Sequence, residues 1–396
     1  MAFNPPPHLL FNELRLALTP IKETDQFPID HLSEADFHRL ENLRTPSRKV
    51  EFFAARKALA SATALERLSE LHYQGKKPHL HHGYLSMSHG SGLAAATYSD
   101  HLEVGIDIES TRPQLLRIQH KFVREDERSL LEALGPQRGL QFLWGIKESL
   151  FKLYGHGGVE FIDHLHVISL ERQSNGWYSG MAWIYATCSE RLSPIQCLVQ
   201  CYEDEGTYLC LATHRAPMIP LLTERLLIRQ WVPEDGNWLY ELNADPEVIL
   251  YTGDTGFSSP QAALLLILNY PNYQRDGFGR WMVEDRTTGQ PLGWCGLKQN
   301  PWGVDLGFRY FKSSWNKGIA TEAGEAVLQW ARENKIKGIV GRALSGNVAS
   351  VRVLKKLGFQ EFSRHSMQDF ADEHPIPQHD YENWLDQQVI MHKIDL

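Results

Sequence analysis

Apolar and polar residues alternate over 14–19, which predicts a short strand. Residues 30–44 and 48–71 read as helices, the second with Phe52, Ala55, Leu59 and Ala62 at helical spacing. Gly75 to Pro78 breaks that pattern. Strands are predicted over 84–89, 94–99 and 102–109. A mostly helical stretch over 120–153 follows, interrupted at Gly135-Pro136. A run of strands closes this part, over 165–170, 177–187, 195–202 and 208–214. Two prolines within Ala216-Pro217-Met218-Ile219-Pro220 interrupt regular structure, and a fresh strand starts over 223–229. Helices at 233–242 and 260–276 then precede strands at 280–284, 291–298 and 304–311. A long helix over 320–334, a strand over 338–343 and a helix over 349–357 ending at Gly358 follow. The pattern therefore predicts a first part over 1–215, a linker over 216–220 and a second part over 221–396.

Composition changes this picture little. With 396 residues, 42% hydrophobic and 22% charged, the chain has globular proportions and room for two or three domains. The net charge of −8 divides evenly between the two parts, which excludes a basic nucleic-acid binder by bulk charge and disfavours a membrane-surface anchor. A local basic pocket for a phosphorylated ligand remains open. Five cysteines without a CxxC spacing (Cys188, Cys197, Cys201, Cys210 and Cys295) read as reduced thiols, and Met1 to Pro7 carries no signal-peptide pattern, so a cytoplasmic protein is expected. No apolar run approaches the ~18–20 residues that span a bilayer.

The first chemical constellation begins at Val104-Gly105-Ile106-Asp107-Ile108-Glu109, an apolar strand with two carboxylates aimed to one side. Such a pair is either a solvated strand face or a hard-oxygen site of the kind that suits Mg²⁺ beside phosphates. The second half, Trp144-Gly145-Ile146-Lys147-Glu148-Ser149-Leu150-Phe151-Lys152, is a helix that puts Glu148 and Lys152 on one face. Together they resemble the 4′-phosphopantetheinyl transferase superfamily, whose signature is G-[IV]-D-x-E followed after about forty residues by [FW]-x-x-K-E-x-x-x-K. Ser86-Met87-Ser88-His89 resembles its S-x-S-H element. Arg48-x-x-Glu51-Phe52-x-x-x-Arg56 resembles its helical R-x-x-E-[FW]-x-x-x-R, and Lys77-Pro78 its G-K-P turn.

That resemblance covers about residues 10–215. It implies two similar α+β lobes, about 1–105 and 106–215, in a pseudo-twofold arrangement. It also implies transfer of the phosphopantetheine arm of coenzyme A to a serine of an acyl or peptidyl carrier protein, with release of 3′,5′-ADP. Asp107, Glu109 and Glu148 are then the Mg²⁺ ligands, and Glu148 doubles as general base for the serine. Arg48, Arg56, Lys77, His89 and Lys152 surround the phosphates. Histidines compete as a signal, because fourteen of eighteen precede residue 216 and His79-Leu80-His81-His82 is dense. No zinc-type Cys/His spacing accompanies them, so a solvated turn is the reading.

The second constellation links a strand to a long helix through Trp315-Asn316-Lys317-Gly318-Ile319-Ala320-Thr321. Small residues and a helix N-terminus make an anion cradle there. Asp305-Leu306-Gly307-Phe308-Arg309 precedes it, and Asn347-Val348-Ala349-Ser350 follows one strand later. With Thr223-Glu224-Arg225-Leu226, Asp245-Pro246-Glu247-Val248 and Gly293-Trp294-Cys295-Gly296-Leu297, this resembles the GNAT acetyltransferases, in the branch that acetylates ribosomal-protein N-termini and related amines. Where the broad family has Gln or Arg, Trp315 stands here, as is frequent in that branch.

The resemblance implies a mixed-sheet fold and acetyl-CoA bound through its pyrophosphate by Asn316, Lys317, Gly318, Ile319, Ala320 and Thr321. Asn347 is expected at the pantetheine arm or an ordered water, and Ser350 as the acid for the leaving thiolate. The same Ser350 also reads as an ordinary residue near a helix N-cap. Asp305 and Glu284 are the candidates for general base, with neither singled out. The expectation is an α+β, multidomain, bifunctional transferase with Mg²⁺, coenzyme A and acetyl-CoA, acting on a carrier protein and on an amine (a protein N-terminus or a small amine). The alternative keeps the first activity and makes the second domain a non-catalytic CoA-binding or regulatory module.

Overall fold

The computed structural model describes residues 5, 13–24, 26–75, 77–185, 194–252, 255–369 and 387–396. Cys188 and the end of the strand expected over 177–187 lie outside them. The chain divides into two compact units, Met1–Ala216 and Pro217–Leu396, each of mixed α and β structure. Among the described residues no helix is long and apolar enough to cross a membrane.

The first unit opens with β1 (Leu14–Pro20), α1 (Glu34–Glu41) and α2 (Pro46–Thr63), then the hairpin β2 (His72–Gln74) and β3 (Lys77–His79), then β4 (Tyr84–Gly90) and β5 (Leu93–Ser99). Ser33 and Thr45 cap α1 and α2 through their side-chain oxygens, and Pro46 sets the first turn of α2. The second helix ends at Thr63 rather than near residue 71, because Ala64 turns left-handed at φ 58°. Strands β1, β5 and β4 form an antiparallel sheet in that order, and the apolar face of α2 closes a core with Leu59, Ala62, Leu85 and Ala96.

The unit continues with β6 (Glu103–Ser110), α3 (Leu115–Ile118), α4 (Arg128–Leu134), α5 (Pro136–Tyr154) and α6 (Phe161–His164). Then come β7 (Leu165–Val167), β8 (Glu171–Arg172), β9 (Tyr178–Ile184), β10 (Ile195–Asp204) and β11 (Thr207–His214). The main sheet order is β6-β11-β10-β9-β7. In both sheets the first strand pairs with the last, and one long helix lies between them in sequence. Helix α5 starts with Pro136 after Gly135 and ends at Gly155, whose φ is 71°. It seats directly on β6, because a Cβ at Gly105 would collide with the Ser149 carbonyl oxygen. That close approach is the physical reason for the glycine ahead of Asp107.

The second unit carries β12 (Leu221–Leu222), β13 (Leu226–Arg229), α7 (Gly236–Ala244), α8 (Pro246–Ile249), α9 (Pro260–Leu268) and α10 (Asn272–Arg275). It goes on with β14 (Arg280–Asp285), β15 (Pro291–Asn300), β16 (Gly303–Tyr310), α11 (Ile319–Glu333), β17 (Gly338–Leu344), α12 (Val348–Lys356), β18 (Gln360–Ser366) and β19 (Gln388–Asp395). The helix expected over 260–276 is two helices separated at Tyr270 and Pro271. The last two strands carry no expectation from the sequence. All form one mixed sheet, β12-β13-β14-β15-β16-β17-β19-β18. Among the described residues only β16 and β17 pair in parallel, at Val304↔Ile339 and Asp305↔Val340. Beyond that point the two strands share no pairing, so the sheet opens toward the C-terminal end of β16, where α11 begins. Trp281, Cys295, Leu297, Val327 and Leu328 fill the core between sheet and α11.

Candidate functional site

In the first unit β6 delivers Asp107 and Glu109, and α5 delivers Glu148 and Lys152. Lys152 Nζ donates to Asp107 Oδ1 at 2.7 Å, to Ser88 Oγ at 2.8 Å and to the Ile106 carbonyl at 3.0 Å. Ser88 from β4 in turn donates to Asp107 Oδ1 at 3.0 Å. Asp107 is buried, at 3% exposure, yet its other oxygen, Oδ2, has no hydrogen-bond partner among the described residues. A buried carboxylate oxygen without a donor is costly unless something outside the chain satisfies it.

The neighbouring carboxylates feel that charge. Burial, then repulsion from Asp107 and Glu148, pushes the Glu109 pKa up to about 7, although Arg112 lies 2.7 Å away. Burial and Asp107 likewise push Glu148 up, against Lys152 and Arg112. Among the described residues no group of three His, Cys, Asp or Glu side chains already stands at ligand spacing. The donor set is nonetheless hard oxygen, mutually repelling and under-neutralised, which suits a small divalent cation with retained waters.

A basic rim adjoins. His89 Nδ1 lies 3.9 Å and Arg48 Nε 4.0 Å from Glu51 Oε2. Burial lowers the His89 pKa; Lys152 and Arg48 push the same way, against Glu51 and Asp107. Lys77 donates to the Leu153 carbonyl at the end of α5. Arg56 departs from its expected place at the phosphates. It is buried, binds Asp36 through two nitrogens, donates to Tyr73 Oη at 2.6 Å and stacks on Phe52, tying α2 to α1 and β2. Lys147 of the helical motif is also structural. It is fully buried against Glu127 Oε2 at 2.8 Å, and burial lowers its pKa. Ser88 and Arg112 join the carboxylates as partners that the sequence pattern does not single out, although Ser88 lies within the Ser-x-Ser-His element. The dense histidines gather on a hairpin, with His79 and His81 rings 5.8 and 5.7 Å from His72.

In the second unit the loop ahead of α11 places Asn316 at φ 60° and Gly318 at φ 78°, so residues 316–321 wind tightly into the helix. Its N-terminal turn offers backbone N–H groups and a partial positive charge to an anion. Asn347 caps α12, its Oδ1 accepting from the Ser350 N–H at 3.1 Å. That uses one side-chain oxygen locally. Both general-base candidates are ion-paired. Asp305 pairs with Arg280, which crosses the sheet over Gly307, where any Cβ would block it. Glu284 pairs with Arg229 at 2.5 Å, within a network that includes Asp235.

Comparison with known proteins matches both segments. The family model of the 4'-phosphopantetheinyl transferase superfamily matches residues 103–184, and that of the acetyltransferase (GNAT) domain matches residues 225–360. The chain therefore carries one segment that matches the first superfamily and, after it, one that matches the GNAT acetyltransferase domain. Among curated relatives, uncharacterized protein YkkB of Bacillus subtilis (strain 168) is 29% identical over 144 residues, 35% of this chain and 83% of its own. The uncharacterized N-acetyltransferase YoaA of the same organism is 28% identical over 150 residues, 36% of this chain and 85% of its own. Among solved structures, a GNAT-family acetyltransferase from Bacillus anthracis is 20% identical, covering 45% of this chain and 98% of its own, with a TM-score of 0.37.

Proposed function

We propose that the first unit transfers 4′-phosphopantetheine from coenzyme A to a serine of an acyl or peptidyl carrier protein. The observation that carries this is the under-neutralised carboxylate set of buried Asp107 with half-buried Glu109 and Glu148, and Lys152 beside it. Asp107, Glu109 and Glu148 are the residues that would hold Mg²⁺, which when bound would stabilise charge gathering on the departing 5′-phosphate of 3′,5′-ADP. Glu148, whose pKa burial and Asp107 push above its ordinary value, takes the serine proton. The serine oxygen bonds to the phosphorus that bears the pantetheine arm, and the phosphoanhydride bond breaks with its electron pair leaving on 3′,5′-ADP. Lys152, Arg48 and Lys77 supply positive charge to the phosphates, and His89 offers a neutral imidazole beside them. The shared topology of the two sheets supports reading the unit as two related lobes in a pseudo-twofold arrangement, split near residue 105.

The second unit, in this reading, acetylates an amine of a protein N-terminus or small molecule. Backbone N–H groups of 316–321 bind the pyrophosphate of acetyl-CoA, and Asn347 approaches its pantetheine arm. The amine nitrogen bonds to the acetyl carbon, the carbon–sulfur bond breaks, Ser350 Oγ protonates the departing thiolate, and the proton that the nitrogen sheds restores the serine hydroxyl through solvent water. The test of the first activity is intact-mass analysis of apo carrier proteins after incubation with the chain, coenzyme A and Mg²⁺. The expected gain is about 340 Da, the mass of one phosphopantetheine group. No gain on any carrier, with the chain folded, would overturn it.

A further inference from the structure

The strap between β12 and β13 makes contacts with α11 that no acetyl-transfer role explains. Thr223 Oγ donates to Glu322 Oε1 at 2.5 Å, and the Arg225 backbone N–H donates to the same oxygen at 3.1 Å. The Arg225 guanidinium grips Glu322 Oε2 from Nε at 2.7 Å and from a terminal nitrogen at 2.5 Å. Its other terminal nitrogen donates to the Lys317 carbonyl at 3.0 Å. The strap itself is braced, since Arg286 donates to the Thr223 and Arg225 carbonyls at 2.9 and 2.8 Å. Burial pushes Glu322 upward, but the hydrogen bonds from Thr223 and Arg225 outweigh it and hold the carboxyl below its ordinary range. One arginine therefore fixes both sides of the loop containing the left-handed Asn316 and Gly318.

We infer that Arg225 is a positioning residue for the phosphate cradle of the second unit. This rests on the reading of that unit as a CoA-binding domain. In a planar trans peptide the carbonyl and the following N–H point in opposite directions. Drawing the Lys317 carbonyl to Arg225 on one side therefore turns the Gly318 N–H to the other side. Glu322, held in the first turn of α11, keeps the helix from rotating against the loop. Gly318 takes its left-handed φ freely, whereas Asn316 at φ 60° is held by surrounding contacts, and the strap anchors the residue between them. Arg225 thus acts through main-chain orientation, without touching the ligand.

The test is hydrogen–deuterium exchange of the full chain, reading the peptide that spans 316–323 as coenzyme A is added in EDTA. This readout is confined to the second unit, so coenzyme A bound elsewhere does not enter it. Arg225→Ala should raise the concentration for half-protection about tenfold, equally for coenzyme A and for dephospho-coenzyme A, which keeps the pyrophosphate but lacks the 3′-phosphate. Arg225→Lys should lose nearly as much, because a point charge cannot span carbonyl and carboxylate together. Should Arg225→Ala melt early, Glu322→Gln gives the same readout with the size of the side chain kept. An unmoved half-protection point in a folded variant overturns the inference. So does a loss seen with coenzyme A alone, which would make Arg225 a direct 3′-phosphate ligand. If the wild-type peptide gains no protection from either compound, the CoA-binding reading of the unit fails and takes this inference with it.

Discussion

The two units assemble their candidate sites from different parts of the chain's chemistry. In the first, ionised side chains do the work, and the backbone only presents them: β6 and α5 meet so closely at Gly105 that Asp107 and Lys152 pair under cover. In the second, on the proposed reading, the working groups are main-chain N–H donors of 316–321. The ionised side chains, Arg225 and Glu322, stand outside the cradle and shape it. A side-chain site fails when one functional group is removed. A main-chain site tolerates side-chain truncation and fails when its dihedral angles change.

The sharpest way to break this comparison is Asp107→Ala. Carrier modification should fall by about 10³-fold or more, the scale of losing a charge-stabilising group at a phosphoryl-transfer centre. Coenzyme A protection of the 316–323 peptide should not move. Intact mass and exchange read the two effects separately, and retained transfer would remove Asp107 from the metal set. Next in size is Arg56→Met. It strands Asp36 as a buried, unpaired charge and should cost about 3–5 kcal/mol of stability in denaturant unfolding. Asp36→Leu combined with Arg56→Met should recover most of that and still modify the carrier. If the double variant folds yet needs far more coenzyme A, Arg56 belongs at the phosphates after all.

For the main-chain site the corresponding change is Gly318→Val. A β-branched residue at φ 78° pays about 1–2 kcal/mol to stay left-handed, so the loop relaxes instead. Coenzyme A affinity of the second unit should drop about tenfold, an energy of that same order. Thr321→Ala, which keeps its N–H, should stay within about twofold. Equal losses in both variants would mean that the Thr321 hydroxyl contacts the ligand and that the site is not a main-chain cradle.

Much of this was legible in the sequence, for reasons that differ by residue. Apolar strand runs and helix spacing locate β4 to β6, α5, β10, β11 and α11 to within a few residues, because each packs apolar residues into a core; β5, β6, β10 and β11 are buried on both faces. Asp107, Glu109, Glu148 and Lys152 could be brought together because the two motifs sit on single elements whose periodicities fix which way they face. Arg56 could not be placed that way. Its helix exposes Arg48 but turns Arg56 inward to Asp36, a partner in a different helix that no local spacing announces. Helix α2 ends at a left-handed alanine, which carries no turn signal of the glycine kind. The Arg225 clamp joins residues 97 apart in sequence, and Thr223-Glu224-Arg225 alone reads as an ordinary turn. Local pattern shows what a segment prefers; it is silent on which distant charge completes it.

The smallest effect concerns pH. Glu109 is raised from an ordinary 4.5 to about 7 in the folded chain, by burial and by Asp107. A folded-state pKa above the unfolded one means that the folded protein holds the proton more tightly. Its stabilising contribution is full below about 4.5 and is lost as pH rises through about 7. Glu148 shifts in the same direction, whereas His89, lowered by burial, contributes in the opposite sense. The difference between wild type and Glu109→Gln isolates the first term: the variant's melting temperature should fall less between pH 5 and 8, by a margin of about a few degrees. Mg²⁺ should oppose the loss, because a cation favours the ionised carboxylates. It should raise the melting temperature at pH 8 and hardly at pH 5, and Asp107→Asn should abolish the difference. A Mg²⁺ shift of equal size at both pH values would separate cation binding from the carboxylate set. The first site would then be no more charge-dependent than the main-chain cradle of the second.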